Sequence, residues 1–179
     1  MKATVPNGER GPWIIDEFTV TPQEAENSVW RAIAFGCPEL IVDPGTYKRL
    51  RHKGREVVVM SDTPMERNSN QRFVDTATGN VLINGLGLGM VLEAVLAKPD
   101  VEHVTVIEVD RDLIDLVGPY FYDEIARPLH RLEIINADAF AWESPEDDAY
   151  YDAVWHDIWD GISPANFAQM EMLRRKYMK

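Results

Sequence analysis

Three glycines, Gly85, Gly87 and Gly89, stand two residues apart directly after the apolar run Val81-Leu82-Ile83-Asn84. Successive glycines carry a backbone-entropy cost, so they are tolerated where a turn must let something approach closely. In an open α/β sheet the ligand sits beyond the carboxyl ends of the strands, and a glycine turn there exposes the N–H groups of the following helix. The dinucleotide pattern G-x-G-x-x-G is not met, because Met90 stands where its last glycine would fall. A phosphate loop is not met either, since no Gly-Lys-Ser/Thr follows. A tight strand-to-helix turn is the plain alternative.

Acids at the ends of the next apolar runs add to the glycines. Glu108 closes VTVIE, 19 residues after Gly89, and a carboxylate there can accept both hydroxyls of a ribose. Asp110 is equally placed to cap the helix that follows. Asp138 comes just after RLEIIN, where it can accept from an adenine amino group while a backbone N–H donates to the ring; a turn or cap is the alternative. Asp157 and Asp160 follow DAVWH. A carboxylate beside an incoming amine both orients it and takes its proton, although either acid can also cap the last helix. His156 is a candidate base, with a packed or solvated histidine as the alternative, and Trp155 and Trp159 read as core residues or as an aromatic wall against a cation. Asp62 and Glu66 are candidates to close the pocket from above, with a surface loop as the alternative.

These residues need elements to hold them. Trp13–Val20 reads as a first strand, and Thr21-Pro22-Gln23-Glu24 as a capping box opening a helix to about Ala34, with Val29, Trp30 and Ile33 on one face. Arg55–Met60 reads as another strand. From residue 79 the alternation is regular: strands at Val81–Asn84, Val104–Val109, Arg131–Asn136 and Asp152–His156, with helices at Met90–Ala97 and Arg111–Val117 and a last one from near Pro164. Alternating strands and helices predict an α/β fold, Rossmann-like, with a mostly parallel sheet and helices on both faces. Residues 1–75 are expected to form an arm, helix and strand segment packed on a core of residues 76–179, and the first eleven residues to be a loose arm.

Composition narrows the function classes. The 179 residues carry 30 acids against 18 Lys plus Arg, a formal net charge of -12. That balance argues against nucleic acid and against an anionic membrane surface. The basic stretch Lys48-Arg49-Leu50-Arg51-His52-Lys53 reads as a solvated face. A single cysteine, Cys37, suits a reducing cytoplasm and excludes an intrachain disulfide. No His-rich or H-E-x-x-H spacing suggests a metal, and no apolar run reaches the length of a membrane span. The expected location is therefore cytoplasmic.

Taken in order, VLINGLGLG, VTVIEVD, INADAF and YDAVWHDIWD resemble the class I S-adenosylmethionine-dependent methyltransferase fold over residues 79 to about 165. Within it the chain is most similar to the spermidine synthase branch, which also has no acid at the position of Ile83 and has a D-x-x-D-P segment where Asp157-Ile158-Trp159-Asp160 stands. MSDTP and WHDIWD also resemble segments of small methyltransferase-like proteins of phages and bacteria. The resemblance implies that Gly85, Leu86, Gly87 and Gly89 face the methionine portion of the donor. It places Glu108 and Val109 at the ribose, Asp138 and Ala139 at the adenine, and Asp157 against the donor, with Asp157 and Asp160 as the catalytic pair. The implied cofactor is S-adenosylmethionine or its decarboxylated form.

The chain departs from the branch at Met60-Ser61-Asp62-Thr63-Pro64-Met65-Glu66, where the synthases carry a Tyr-His-Glu, and at Gly161, where they have proline. It also ends after the helix that follows the fourth core strand, so it is read as C-terminally abbreviated. Either later edge strands are missing, or N-terminal strands cover part of the sheet; an open sheet edge is a candidate for pairing with a second copy. The leading expectation is methyl transfer to a small molecule or protein side chain. Aminopropyl transfer and nucleoside binding without chemistry are the alternatives.

Overall fold

The computed structural model describes residues 1–55, 58–125, 131–144, 151–159 and 163–177. Two four-stranded sheets organise them. The first is an antiparallel meander of β1 (Gly8–Arg10), β2 (Trp13–Val20), β3 (Gly45–His52) and β4 (Val58–Ser61), in that order. The second is parallel, in the order β7 (Leu132–Asn136), β6 (Val101–Glu108), β5 (Gly79–Asn84), β8 (Ala153–His156). The helices are α1 (Pro22–Phe35), α2 (Pro64–Thr76), α3 (Met90–Leu96), α4 (Arg111–Tyr120) and α5 (Phe167–Tyr177). Among the described residues no helix is long and apolar enough to cross a membrane.

The parallel sheet is covered on both faces, as its Val/Ile/Leu-rich strands require. Successive residues of β5 point to opposite sides: Val81 and Ile83 join a core with Val74 of α2, α3 and α4, while Leu82 packs with Leu173 of α5. The α/β reading from residue 79 onward is therefore correct, with strand ends shifted by one to three residues.

The N-terminal part differs from expectation in several ways. Its strands do not extend the parallel sheet; they pair antiparallel with each other instead, β2 and β3 across the intervening α1. Trp13, Ile15 and Leu50 nevertheless enter the same core as Val81 and Ile83. The first residues are not a loose arm. Ala3 and Val5 are buried, the Ala3 N–H donates to Asp62 Oδ2 at 3.3 Å, and β1 pairs with β2. The basic stretch is the body of β3, where Arg49 and Arg51 both reach Asp16 and the Lys48 ammonium donates to the Val5 carbonyl.

The buried face of α1 is also the reverse of the one expected. Trp30 and Ile33 are 64% and 65% exposed, and the helix buries Ala25, Ser28 and Ala32. The small side chains allow close approach to the following turn. There the Ser28 hydroxyl donates to Ala25 O at 2.6 Å and accepts the Val42 N–H at 3.0 Å.

Candidate functional site at the strand ends

The carboxyl ends of β5, β6, β7 and β8 bring the expected residues to one edge of the sheet. The glycine turn leaves β5 with Gly85, Gly87 and Gly89 all at positive φ, 99°, 52° and 70°. A Cβ on Gly85 would lie 2.2 Å from the Asp157 carbonyl oxygen, so no other residue fits beneath the neighbouring strand end. Gly89 precedes α3 and lies against the Phe121 ring. The turn is held from inside: the Gly85 N–H donates to Ile107 O at 2.8 Å and the Gly89 N–H to Leu86 O at 2.9 Å.

Glu108, at the end of β6, is 7% exposed. Its Oε2 accepts the Leu86 N–H at 2.8 Å and its Oε1 the Asp110 N–H at 2.9 Å. Burial raises its pKa, and those two backbone donors hold it part of the way down. Each oxygen retains a second lone pair, so the carboxylate can pin the glycine turn and still accept a hydroxyl. Val109 is exposed beside it. Asp110 caps α4, accepting from the Asp112 and Leu113 N–H groups at 2.9 and 3.3 Å.

Asp138 follows β7 and is exposed; its Oδ1 accepts the Phe140 N–H at 2.9 Å. Ala139 is buried, and its carbonyl accepts the Tyr177 hydroxyl of α5 at 3.1 Å. The far end of the site is thus tied to the last helix.

Asp157 follows β8. Its N–H donates to Asn84 O at 2.8 Å. Burial pushes its carboxyl up to about 6, against the opposing effect of the Trp155 indole N–H. Asp160 lies outside the described residues. His156 is packed: it meets the Asn84 amide at 2.8 Å through Nδ1. An amide nitrogen can only donate there, so Nδ1 accepts and Nε2 carries the proton. Burial lowers His156 to about 4, which leaves it neutral and unsuited to hold positive charge. Trp155 stacks on Phe73 with centroids 5.0 Å apart. Trp159 donates to Gln169 Oε1 of α5 at 2.9 Å.

Helix α2 supplies what the sequence reading missed. A narrow cavity beside the glycine turn is lined by Met60, Asn70, Gly85, Trp155 and Asp157. Asn70 is 3% exposed and its Nδ2 has no partner. Glu66 lies close enough to feel the Asp157 charge. Burial first and that charge second push Glu66 up to about 7, while the Ser61 N–H at 3.4 Å pulls the other way. Asp62 does not close the pocket. It is buried as a clamp, with Oδ1 accepting the Lys48 N–H at 2.7 Å and Oδ2 the Ala3 N–H. The Thr63-Pro64-Met65-Glu66 segment was a signal for α2, since it repeats the helix-opening pattern of Thr21-Pro22-Gln23-Glu24. Nothing in it indicated that Asn70 would be buried. No cluster of three or more metal-ligating side chains occurs among the described residues.

Comparison with known proteins finds relatives over part of the chain. Over 87 residues the chain is 32% identical to putrescine N-methyltransferase 1 of Nicotiana tabacum, covering 48% of this chain and 23% of that protein. Over 109 residues it is 39% identical to polyamine aminopropyltransferase 1 of Streptomyces coelicolor, covering 54% of this chain and 20% of that protein. The chain thus spans about a fifth to a quarter of the length of these curated relatives. Among solved structures, spermidine synthase from Thermotoga maritima aligns with a TM-score of 0.46 and 22% identity, over 63% of this chain and 41% of that one. The spermine/spermidine synthase domain model matches residues 65–178, nearly two thirds of the sequence, and the chain belongs to that family.

Proposed function

We propose that this protein is a transferase that binds an S-adenosylmethionine-type nucleoside at the ends of β5, β6 and β7 and moves a methyl group from it to an amine. The observation that carries the reading is the convergence of the glycine turn, Glu108, Asp138 and Asp157 on four adjacent strand ends. The residues present fit such a nucleoside. Glu108 keeps free lone pairs toward a ribose, and the buried Asn70 Nδ2 still lacks an acceptor in the cavity beside the turn. When bound, the sulfonium supplies an electrophilic carbon and a thioether leaving group.

The acceptor class follows from charge. Asp157 lines the cavity, Glu66 stands close enough to feel its charge, and no Lys or Arg is among the lining residues. An ammonium that enters satisfies both acids. Transfer needs a nitrogen lone pair to attack the methyl carbon while the carbon–sulfur bond breaks, so the ammonium must first give up one N–H proton. A carboxylate whose pKa sits near 6 or 7 is matched to accept it at neutral pH. Asp160 keeps its place as the second acid expected from the sequence, and residues 1–75 are read as the part that shapes the acceptor side. The working location in this reading is the cytoplasm.

Family membership favours a second reading, aminopropyl transfer from the decarboxylated donor. One experiment separates the two. The purified chain is titrated calorimetrically with S-adenosylhomocysteine, then incubated with putrescine and either donor, and the products are identified by mass. Binding with a methylated product supports methyl transfer, and an aminopropylated product supports the second reading. Binding without product leaves a nucleoside-binding protein, and no heat at millimolar ligand removes all three.

A further inference from the structure

The glycine turn already carries a methionine side chain of this protein. Met60, in β4, lays its thioether across the turn: Sδ accepts the Leu88 N–H at 3.3 Å. Its Sδ and Cε lie 2.7 and 2.8 Å from where a Cβ on Gly87 would stand. Only a glycine admits the chain at that depth. With Leu86 bonded to Glu108, and Gly85 and Gly89 bonded to backbone carbonyls, four of the five turn N–H groups between residues 85 and 89 are engaged within the protein. The same side chain walls the narrow cavity that holds Asn70, Trp155 and Asp157. Among the polar groups there, the Asn70 Nδ2 is deeply buried and has no counterpart. A buried donor left unpaired has a free-energy cost, and an acceptor on a ligand entering past Met60 would remove it.

We propose that Met60 is an intramolecular plug of the donor site, whose thioether must leave Gly87 before a nucleoside with an amino-acid tail can seat on the glycine turn. This rests on the nucleoside reading of that turn. Methionine suits the role because it is unbranched and flexible, and its sulfur is a weak acceptor. The contact therefore closes the site without locking it. Binding then selects the form with Met60 displaced, and affinity is reduced by the fraction of molecules in that form. β4 connects through Ser61 and Asp62 to the head of α2, so displacement of Met60 acts on the element that carries Glu66 and Asn70.

The test compares wild type, Met60→Ala and Met60→Leu by calorimetry with S-adenosylhomocysteine. If the plugged form predominates about tenfold, Met60→Ala binds about tenfold more tightly. Met60→Leu keeps the bulk and stays near wild type. In ligand-free wild type the Leu88 amide is protected from hydrogen exchange, and in Met60→Ala it is not. Equal or weaker binding by Met60→Ala overturns the plug while leaving the nucleoside reading intact. No binding by any of the three overturns both. If Met60→Ala does not fold, the wild-type Met60 methyl resonance decides: it shifts on ligand addition if the plug is displaced, and a resonance that stays put while ligand binds overturns the proposal.

Discussion

Two helices of this protein open with the same pattern, Thr-Pro-x-Glu, at residues 21–24 and 63–66, and their glutamates have opposite surroundings. In α1 the box closes: the Thr21 N–H donates to Glu24 Oε2 at 2.8 Å and Thr21 Oγ1 accepts the Glu24 N–H at 3.3 Å. The Thr21 N–H, and after it the Thr21 hydroxyl donating to the same oxygen at 2.8 Å, hold the Glu24 carboxyl below its usual range. In α2 the Thr63 side chain makes no cap bond and pairs with the Ser61 hydroxyl at 3.1 Å. Glu66 instead accepts the Ser61 N–H, feels the Asp157 charge and is pushed up to about 7, chiefly by burial. The bodies of the helices are inverted in the same sense: α1 leaves Trp30, Ile33 and Phe35 in solvent, while α2 buries Asn70. A helix-opening sequence thus sets where a helix begins, and the tertiary setting decides whether its acid serves the helix or the site.

The strongest way to break this contrast is through activity. Under the proposed transfer, Asp157→Asn and Glu66→Gln should each lower kcat by about 10²–10⁴-fold, while Glu24→Gln leaves it unchanged. Steady-state rates with a methyl donor and an amine acceptor provide the check. Equal rates for Glu66→Gln and wild type would assign Glu66 to the scaffold alone.

Next in size is a stability effect at the turn that lies against Asp157. Gly85→Ala places a Cβ against the Asp157 carbonyl, at a φ of 99°. It should cost about 3 kcal/mol or more, combining backbone strain with the clash. Denaturant unfolding of the variant measures it. A loss below about 1 kcal/mol would mean that the β8 end and the turn separate freely.

That turn also shows what was legible beforehand. Regular apolar runs separated by acids and glycines announced β5, β6, β7 and β8 and the residues at their ends, because a doubly covered parallel sheet leaves few alternatives for such runs. The purpose of the glycines was only half legible. Their spacing suggested a ligand, yet in the structure they also make room for this chain's own Asp157 carbonyl, Met60 thioether and Phe121 ring. The face of α1 was misread because hydrophobicity was weighed and close approach was not; Ala25, Ser28 and Ala32 bury by being small. Asn70 gave no signal, since an asparagine in a polar helix sequence looks solvated until a second sheet covers it.

The contrast between the glutamates has a pH signature of opposite sign. Glu66 and Asp157 have folded pKa values near 7 and 6, above the ordinary 4.5 and 3.8. The folded protein therefore holds protons that the unfolded chain has released, and stability falls as pH rises from about 4 to about 7. Glu24 is lowered on folding, so its share is present above pH 4.5 and is lost as pH falls through its folded value. Unfolding midpoints across about pH 5 to 8 should decline in wild type and flatten in Glu66→Gln. An unchanged slope in that variant would assign the decline to other groups.

The smallest effect tests the caps themselves. Thr21→Ala removes an N-cap that is made and should cost about 1 kcal/mol. Thr63→Val removes a hydroxyl that caps nothing and keeps the side-chain volume. What it loses is one neutral bond to Ser61, a contribution of about 0.5–1 kcal/mol at most, with no loss of helix start. The two are distinguished by amide exchange in the first turns rather than by midpoint alone. Exchange should quicken at Glu24 in Thr21→Ala, because that N–H loses its acceptor, and stay unchanged at Glu66 in Thr63→Val. Faster exchange at Glu66 would show that the second threonine caps its helix after all, and that the two openings differ only in where the glutamate points.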